Sequence, residues 1–370
     1  MKLEQALRLA PLAPALDHPA PPVSFFEFWP DWAFYTPVVL HWALCAIRYR
    51  GALLPTAANP RITTGGLCGE SKREILDQVQ GSARDLIAPY CAFATHATDA
   101  AADLPAARAA MAEAGLAFPV VAKPDIGCNG AGVRLIRDAA ALTAYLAAYP
   151  RNETVILQEF VPAPGEAGVF YIRAPGEPVG RLTSITLKHP ATVTGDGVST
   201  VRALIQADPR AGRLSWLYFP KLGARLEQVP AAGEKLPLVF VGNHCKGSIF
   251  ENGAHLATPA LAAAMEHLAR ALPDFHFGRI DLRFSNPAAL ARGEGFRVIE
   301  INGAGSEATH IWDPTTRLLD AWRAQFAHYG AAFRIGAENR TRGHRPTSLL
   351  GLWRLWQRHK RLMAAYPAHD

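Results

Sequence analysis

The amino-acid sequence predicts an α+β fold of two or three domains, and three observations carry that prediction. From Pro119 onward, short apolar runs alternate with helical stretches in an alanine-rich background. Two of those runs, Val169 to Arg173 and Arg181 to Leu187, flank a turn around Gly176 and read as an antiparallel pair. The chain has 370 residues, 49% apolar and 19% charged, which suffices for a large core and is too apolar for disorder over most of its length.

In chain order, the first thirty residues are rich in Pro and Ala and read as an extended arm. Ala33 to Ile47 is apolar but for Thr36, Pro37 and His41, and ends at Arg48 and Arg50. It holds about 15 residues where a spanning helix needs roughly 20. Two readings stay open: a buried helix beginning near Pro37, or an interfacial helix that touches a membrane. Leu54 to Gly69 reads as a loop, with Pro55, Asn59-Pro60 and Gly65-Gly66. Glu70 to Ala88 reads as a helix capped by Ser71 or a neighbour.

Next come a strand at Phe118 to Ala122, a glycine-rich loop at Asp125 to Gly132, a helix at Asp138 to Ala148 and a strand at Thr154 to Phe160. A helix begins at Thr200, and Leu236 to Val241 reads as a strand. Pro259 to Ala271 reads as a helix, and Gly278 to Phe284 and Arg297 to Ile301 as strands. The tail, Ser348 to Tyr366, reads as a helix with Arg354, Arg358 and Arg361 on one face. Leu349, Leu352, Trp353, Trp356 and Met363 lie mostly on the other, to dock the helix on the body or on a membrane surface.

Charge and cysteines exclude several classes. The net charge is +6, and the segment from Asn339 to the end, with seven Arg or Lys and one Asp, accounts for it. The body is near neutral, with no basic stripe and no zinc-finger or RNA-recognition pattern, so nucleic acid is not expected as a partner. Cys45, Cys68, Cys91, Cys128 and Cys245 are scattered, odd in number and form no CxxC pair, which points to a reduced cytoplasmic setting. Prolines interrupt Met1 to Ala20, which does not read as a signal peptide.

Three constellations carry chemistry. Arg279-Ile280-Asp281 closes one strand and Glu300-Ile301-Asn302 another, and alternation puts each pair of polar residues on one face. Two carboxylates and a carboxamide beside an arginine are what magnesium and a transferring phosphoryl group require. Lys123 ends an apolar strand and is followed by Gly127, Gly130 and Gly132, a loop whose amides can approach phosphates, although it matches neither the Walker nor the Rossmann pattern. Gln158-Glu159-Phe160-Val161, with Glu166 beyond it, offers backbone groups for a base and a carboxylate for ribose.

In this order and spacing the three elements resemble the ATP-grasp superfamily, in particular the D-alanine–D-alanine ligases and cyanophycin-synthetase-like ligases. The resemblance spans roughly Ala88 to Pro314. It implies an ATP-grasp fold, two α+β subdomains sandwiching a nucleotide, with an atypical N-terminal region and a C-terminal helix. The divisions it implies are 1–88, a region that would bind substrate; 89–163, the central lid; 164–338, the catalytic subdomain; and 339–370, the basic tail helix.

It further implies that Lys123 and Lys188 contact the ATP phosphates and that Gly127, Gly130 and Gly132 cover them. Glu159, Phe160 and Val161 would face adenine, and Glu166 would bind ribose. Asp281, Glu300 and Asn302 would hold two Mg²⁺ ions, with Mn²⁺ as an alternative, and Arg279 would steady acyl-phosphate oxygens. Asn243, in the loop Gly242 to Ser248 with His244 and Lys246, would face the acyl phosphate.

The expected activity is ADP-forming ligation of a carboxylate to an amine. The alternatives are a kinase on the same fold and a non-catalytic nucleotide-binding module. Two departures matter: the phosphate loop carries Cys128 and Asn129, and Glu307 stands where a substrate carboxylate would otherwise be bound, which suits an amino-bearing substrate. Gly69-Glu70-Ser71-Lys72 reads either as a substrate contact or as a helix cap. The small-molecule substrates, the oligomeric state and a peripheral contact with the inner face of a membrane stay open.

Overall fold

The computed structural model describes residues 23–96, 98–238 and 247–367. The opening arm lies mostly outside them, as do Asn243, His244 and Lys246 and the second half of the strand expected at Leu236 to Val241.

The N-terminal part holds helix α1, Asp31–Arg48, and the short helix α2, Lys72–Asp77. α1 starts six residues before Pro37, not near it, and Pro37 sits inside it. The proline removes one N–H that would reach back to Ala33, and the helix continues because its buried face, Phe34, Val38 and Cys45, is held by packing. Its other face is not buried: Trp32, Val39, Leu40, Leu44 and Ile47 are exposed, which departs from the first of the two readings, a buried helix. α2 is far shorter than the helix expected over Glu70 to Ala88; Ser71 caps it by accepting from the Glu74 N–H, and 3₁₀ turns over Gly81–Leu86 follow.

The first lobe runs through strand β1, Tyr90–Ala94; helix α3, Asp103–Glu113; β2, Val120–Pro124; β3, Arg134–Ile136; α4, Ala139–Ala147; and β4, Thr154–Glu159. Its strands form an antiparallel sheet in the order β1-β4-β2-β3. Alternation sends Val120, Ala122, Val155 and Leu157 inward against Leu142 and Tyr145 of α4.

The second lobe begins with β5, Gly165–Ile172, and β6, Arg181–His189. An insertion follows, with β7, Thr192–Thr194; α5, Val201–Ala207; α6, Ser215–Leu222; and β8, Lys235–Pro237. The lobe resumes with β9, Ile249–Asn252; α7, Pro259–Arg270; β10, Phe277–Phe284; α8, Pro287–Ala291; and β11, Phe296–Asn302. The main sheet is antiparallel in the order β11-β10-β5-β6-β9, and α7 covers it with Leu261, Met265 and Leu268 at helical spacing.

Helix α9, Leu318–Thr341, runs beside α1. Trp322 Nε1 donates to Phe34 O, the Phe326 ring stacks on His41 at 4.6 Å, and Arg340 donates to the Tyr49 and Arg50 carbonyls. Helix α10, Leu349–Ala365, has Ser348 as its cap. Its inward side is not the expected Leu/Trp stripe. Leu362 is buried and Leu355 packs at Gly69, whereas Leu349, Leu350, Trp353 and Trp356 are exposed.

The loop ahead of α2 is a wedge rather than a free surface turn. Gly65 and Gly66 have positive φ, and a side chain at Gly66 would meet Gly303 Cα at 2.6 Å. Asn59 fastens the wedge: its Nδ2 donates to the Gly65 and Phe277 carbonyls, and its Oδ1 accepts from the His276 and Phe277 N–H groups. The N-terminal part is thereby tied to the strand that carries Arg279 and Asp281.

Candidate active site

The two sheets face each other across a cavity of 1020 Å³, and the predicted residues converge on it except Gly132 and Asn243, the latter outside the described residues. β10 and β11 pair so that Arg279 lies opposite Asn302 and Asp281 opposite Glu300, with a register shift immediately after Asp281. Asp281 is the hub. Its Oδ1 accepts from Arg279 Nε at 2.9 Å and Lys188 Nζ at 3.0 Å; its Oδ2 accepts from Arg279 Nη2 at 3.0 Å and Asn302 Nδ2 at 3.1 Å. Burial alone would raise the pKa of this carboxyl, but Arg279 and Lys188 outweigh burial and hold it below the ordinary value. Asp281 in turn keeps Lys188 and Arg279 charged against the same burial. Across from it, a side chain at Gly168 on β5 would come within 2.9 Å of Asp281 Oδ1, so the glycine leaves the carboxylate its space.

Lys123, at the end of β2, is only 7% exposed and donates to Gln158 Oε1 and Ile299 O, both at 2.8 Å. Burial pushes its ammonium down to about 8, against the opposing pull of Glu300. Beyond it the loop turns through Asn129, Gly130 and Gly132, all with positive φ, and Gly127 and Gly130 line the cavity. Gly132 does not line it; a side chain there would meet Pro124 and Tyr366. Glu159, Phe160, Val161 and Glu166 also line the cavity. The Glu159 N–H, expected to be free for a base, instead donates to Pro89 O at 2.8 Å. Glu166 lies 3.3 Å from Lys188 Nζ, so Lys188 bridges it to Asp281.

Two elements enter that the motifs did not assign. Lys72, the first residue of α2, reaches across to Gly127 O and lies 3.4 Å from Glu300 Oε1. Ser71 Oγ and the Arg73 N–H both bond Asp125 Oδ1 at 2.8 Å, so the cap and the cleft contact are one device. The sequence signal was the polar run Gly69 to Lys72; what it lacked was any mark of the far partner. Helix α10 is the second element. Trp356 and His359 line the cavity, His359 Nε2 lies 3.5 Å from Cys128 Sγ, and Tyr366 donates to Ile126 O at 2.6 Å. Arg358 pairs with Glu153 at 2.9 Å. The tail thus braces the glycine-rich loop.

Two antiparallel sheets, each backed by helices, close on a cavity with cations on both walls and paired carboxylates at its floor. The fold is α+β, with the cavity between the two sheets. Among solved structures the chain is similar to a bifunctional glutathione synthetase from Pasteurella multocida, at 16% identity and TM-score 0.35, over 69% of this chain and 36% of that one. It is also similar to the VanG D-Ala:D-Ser ligase of Enterococcus faecalis, at 14% identity and TM-score 0.41, over 75% and 64%. The D-alanine–D-alanine ligase of Bacillus anthracis matches at 14% identity and TM-score 0.40, over 76% and 71%. No protein-family model matches the sequence, and no curated protein does. At that similarity the residues, not the neighbours, carry the functional reading.

The donor set fits magnesium. Asp281, Glu300 and the Asn302 carboxamide are hard oxygen ligands, too few to enclose the ion alone, as suits an ion that keeps waters and takes phosphate oxygens. Arg279 and Lys188 on Asp281, and Lys72 near Glu300, already hold positive charge against these carboxylates. Glu70, which lines the same cavity, keeps Oε2 buried without a hydrogen-bond partner among the described residues.

Proposed function

We propose that this chain is an ATP-dependent, ADP-forming ligase that joins a carboxylate to an amine through an acyl phosphate. The observation that carries the reading is the meeting of Arg279, Lys188 and Asn302 on Asp281, with Glu300 opposite in register and buried Lys123 nearby.

In this reading Lys123 and Lys188 take the phosphates of ATP, and the loop Gly127 to Gly132, braced by α10, covers them. Phe160 and Val161 flank the base, and Glu166 takes the ribose. Asp281, Glu300 and Asn302 would hold two magnesium ions, which neutralise charge on the phosphates. The substrate carboxylate displaces ADP from the γ-phosphorus. The amine nitrogen then attacks the acyl carbon, phosphate leaves, and the ammonium proton passes to water. Arg279 steadies oxygens that gain charge in both steps, so the protein acts mainly by positioning and charge complementarity.

The test is ADP and phosphate release from Mg-ATP over pools of carboxylates and amines. Release that needs both, with a product lighter than their sum by one water, supports the ligase. Release with one substrate alone and a stable phosphorylated product overturns it in favour of a kinase. Glu300→Gln should lower turnover by at least about a hundredfold, the scale of losing a charge-stabilising ligand; unchanged ATP consumption would refute the metal assignment.

The apolar face of α1 and the basic tail further support a peripheral membrane location. Among the described residues no helix is long and apolar enough to cross a membrane.

A further inference from the structure

The cavity extends past the reacting centre into a space that the nucleotide reading leaves unused. At 1020 Å³ the cavity lies at the top of the usual range of about 300–1,000 Å³, and the lining at one end is not claimed by the nucleotide reading. Its lysines and arginines, Lys72, Lys123, Lys188, Arg279 and Arg283, belong to the phosphate and base end. Arg279 marks the divide, because its Nη1 donates to Glu307 O at 3.1 Å.

Beyond Glu307 the character changes. The Glu307 carboxylate accepts from Tyr35 Oη at 2.9 Å, from Trp312 Nε1 at 2.7 Å and from Gln325 Nε2. The Trp312 ring lies 4.9 Å from Phe34, which lies 4.9 Å from Tyr35. Trp29, Phe250 and Trp216 complete aromatic walls that line the cavity, and Trp216 is 66% exposed. Asp31, on the first turn of α1, also lines the space and has no ion-pair partner among the described residues. Glu27 does have one: it is buried against Arg210, which ties the segment before α1 to the insertion between β6 and β9.

Aromatic walls with two carboxylates and, among the described residues, no lysine or arginine of their own repel an anion and attract a cation with an apolar body. We propose that this chamber is the acceptor site, taking a primary amine attached to an aromatic or alkyl group. The inference rests on the ligase reading for the word acceptor, while the binding preference stands on the chamber alone. The amine would sit between Asp31 and the remaining lone pair of Glu307, on the Arg279 side where an acyl carbon would lie. The apolar body would fill the aromatic end.

The test is isothermal titration of the nucleotide-free protein with four probes: 2-phenylethylamine, octylamine, ethylamine and 3-phenylpropionate. The first two should bind at least about tenfold more tightly than the last two. Asp31→Asn and Trp216→Ala change solvent-facing positions and should preserve the fold. Each should weaken 2-phenylethylamine by about fivefold or more and leave binding of a non-hydrolysable ATP analogue unchanged. Equal binding of ethylamine or of the carboxylate, or indifference to both substitutions, overturns the chamber. Selective amine binding with no ATP-driven condensation supports the chamber and overturns the ligase. Condensation that is equally efficient with small polar amines does the reverse.

Discussion

Lys123 is a buried ammonium whose proton is held to only about 8, because burial disfavours its charge more than Glu300 and its other acidic neighbours restore it. Phosphate needs the charged form. Affinity for ATP should therefore be fully present below pH 8 and fall as pH rises through it. The KM for ATP should rise roughly tenfold per pH unit above the break, and Lys123→Arg should remove the break because arginine stays charged. A flat profile in the native protein would contradict the assignment. The stability term has the opposite sign: the unfolded lysine keeps its proton up to about 10.4, so the contribution of Lys123 to stability grows with pH between the two values. Arg279, Asp281, Glu300 and Asn302 were legible in the sequence because strand alternation is local and fixes which side chains share a face. Lys72 was not, since its partner Glu300 lies on a different element and only the packed wedge brings them together.

At the scale of elements, short-range pattern predicted what short-range forces decide. Asp138 caps α4 and Ser348 caps α10 where the sequence placed helix starts. It failed where tertiary packing decides. The helix expected through Ala88 stops at Asp77, and α10 turns its Leu355 and Leu362 side inward because the glycine-rich loop and Gly69 offer it a surface. A helix with apolar residues on two sides does not announce which one docks.

Two predictions belong here. Asn59→Ala would remove four hydrogen bonds between the wedge and the start of β10, leaving Gly65 O with only the Ala304 N–H, and should destabilise the protein by roughly 2–4 kcal/mol, read as a drop in thermal midpoint of about 5 °C or more. An unchanged midpoint would mean that water replaces the amide. Removing residues 346–370 takes away the Tyr366–Ile126 and Arg358–Glu153 links. The KM for ATP should rise by about tenfold, and proteases should cut the loop between β2 and β3 faster. Unaltered cleavage and affinity would reduce α10 to a surface ornament.

For the whole molecule, apolar exposure is uneven. Of the sixteen large apolar side chains that are exposed among the described residues, eleven lie on α1 and its approach or on α10. The positive charge of the chain is concentrated after Asn339. Clustered apolar side chains beside basic ones are what an anionic bilayer surface binds. Vesicles of phosphatidylglycerol should sediment with the protein at low salt, and phosphatidylcholine vesicles should not. Paired Leu40→Asp and Leu44→Asp changes should reduce the bound fraction several-fold, about 1–2 kcal/mol. Binding that ignores both lipid charge and substitution would dismiss the surface.

The partnership of α1 with α9 also has a consequence in time. The inner face of α1 is covered by residues around Trp312 and by α9, and Asn339 closes the contact by donating to Ala57 and Ala58. Translation at about 5–20 residues per second separates those partners by roughly 15–60 s. For that interval the inner face of α1 lacks its C-terminal mate and has only nearby residues such as Phe26 and Leu54 to pack on. The docking of α1 on α9 is therefore a late event in synthesis. Production of this protein should then be limited by chaperone supply more than by the stability of the finished fold.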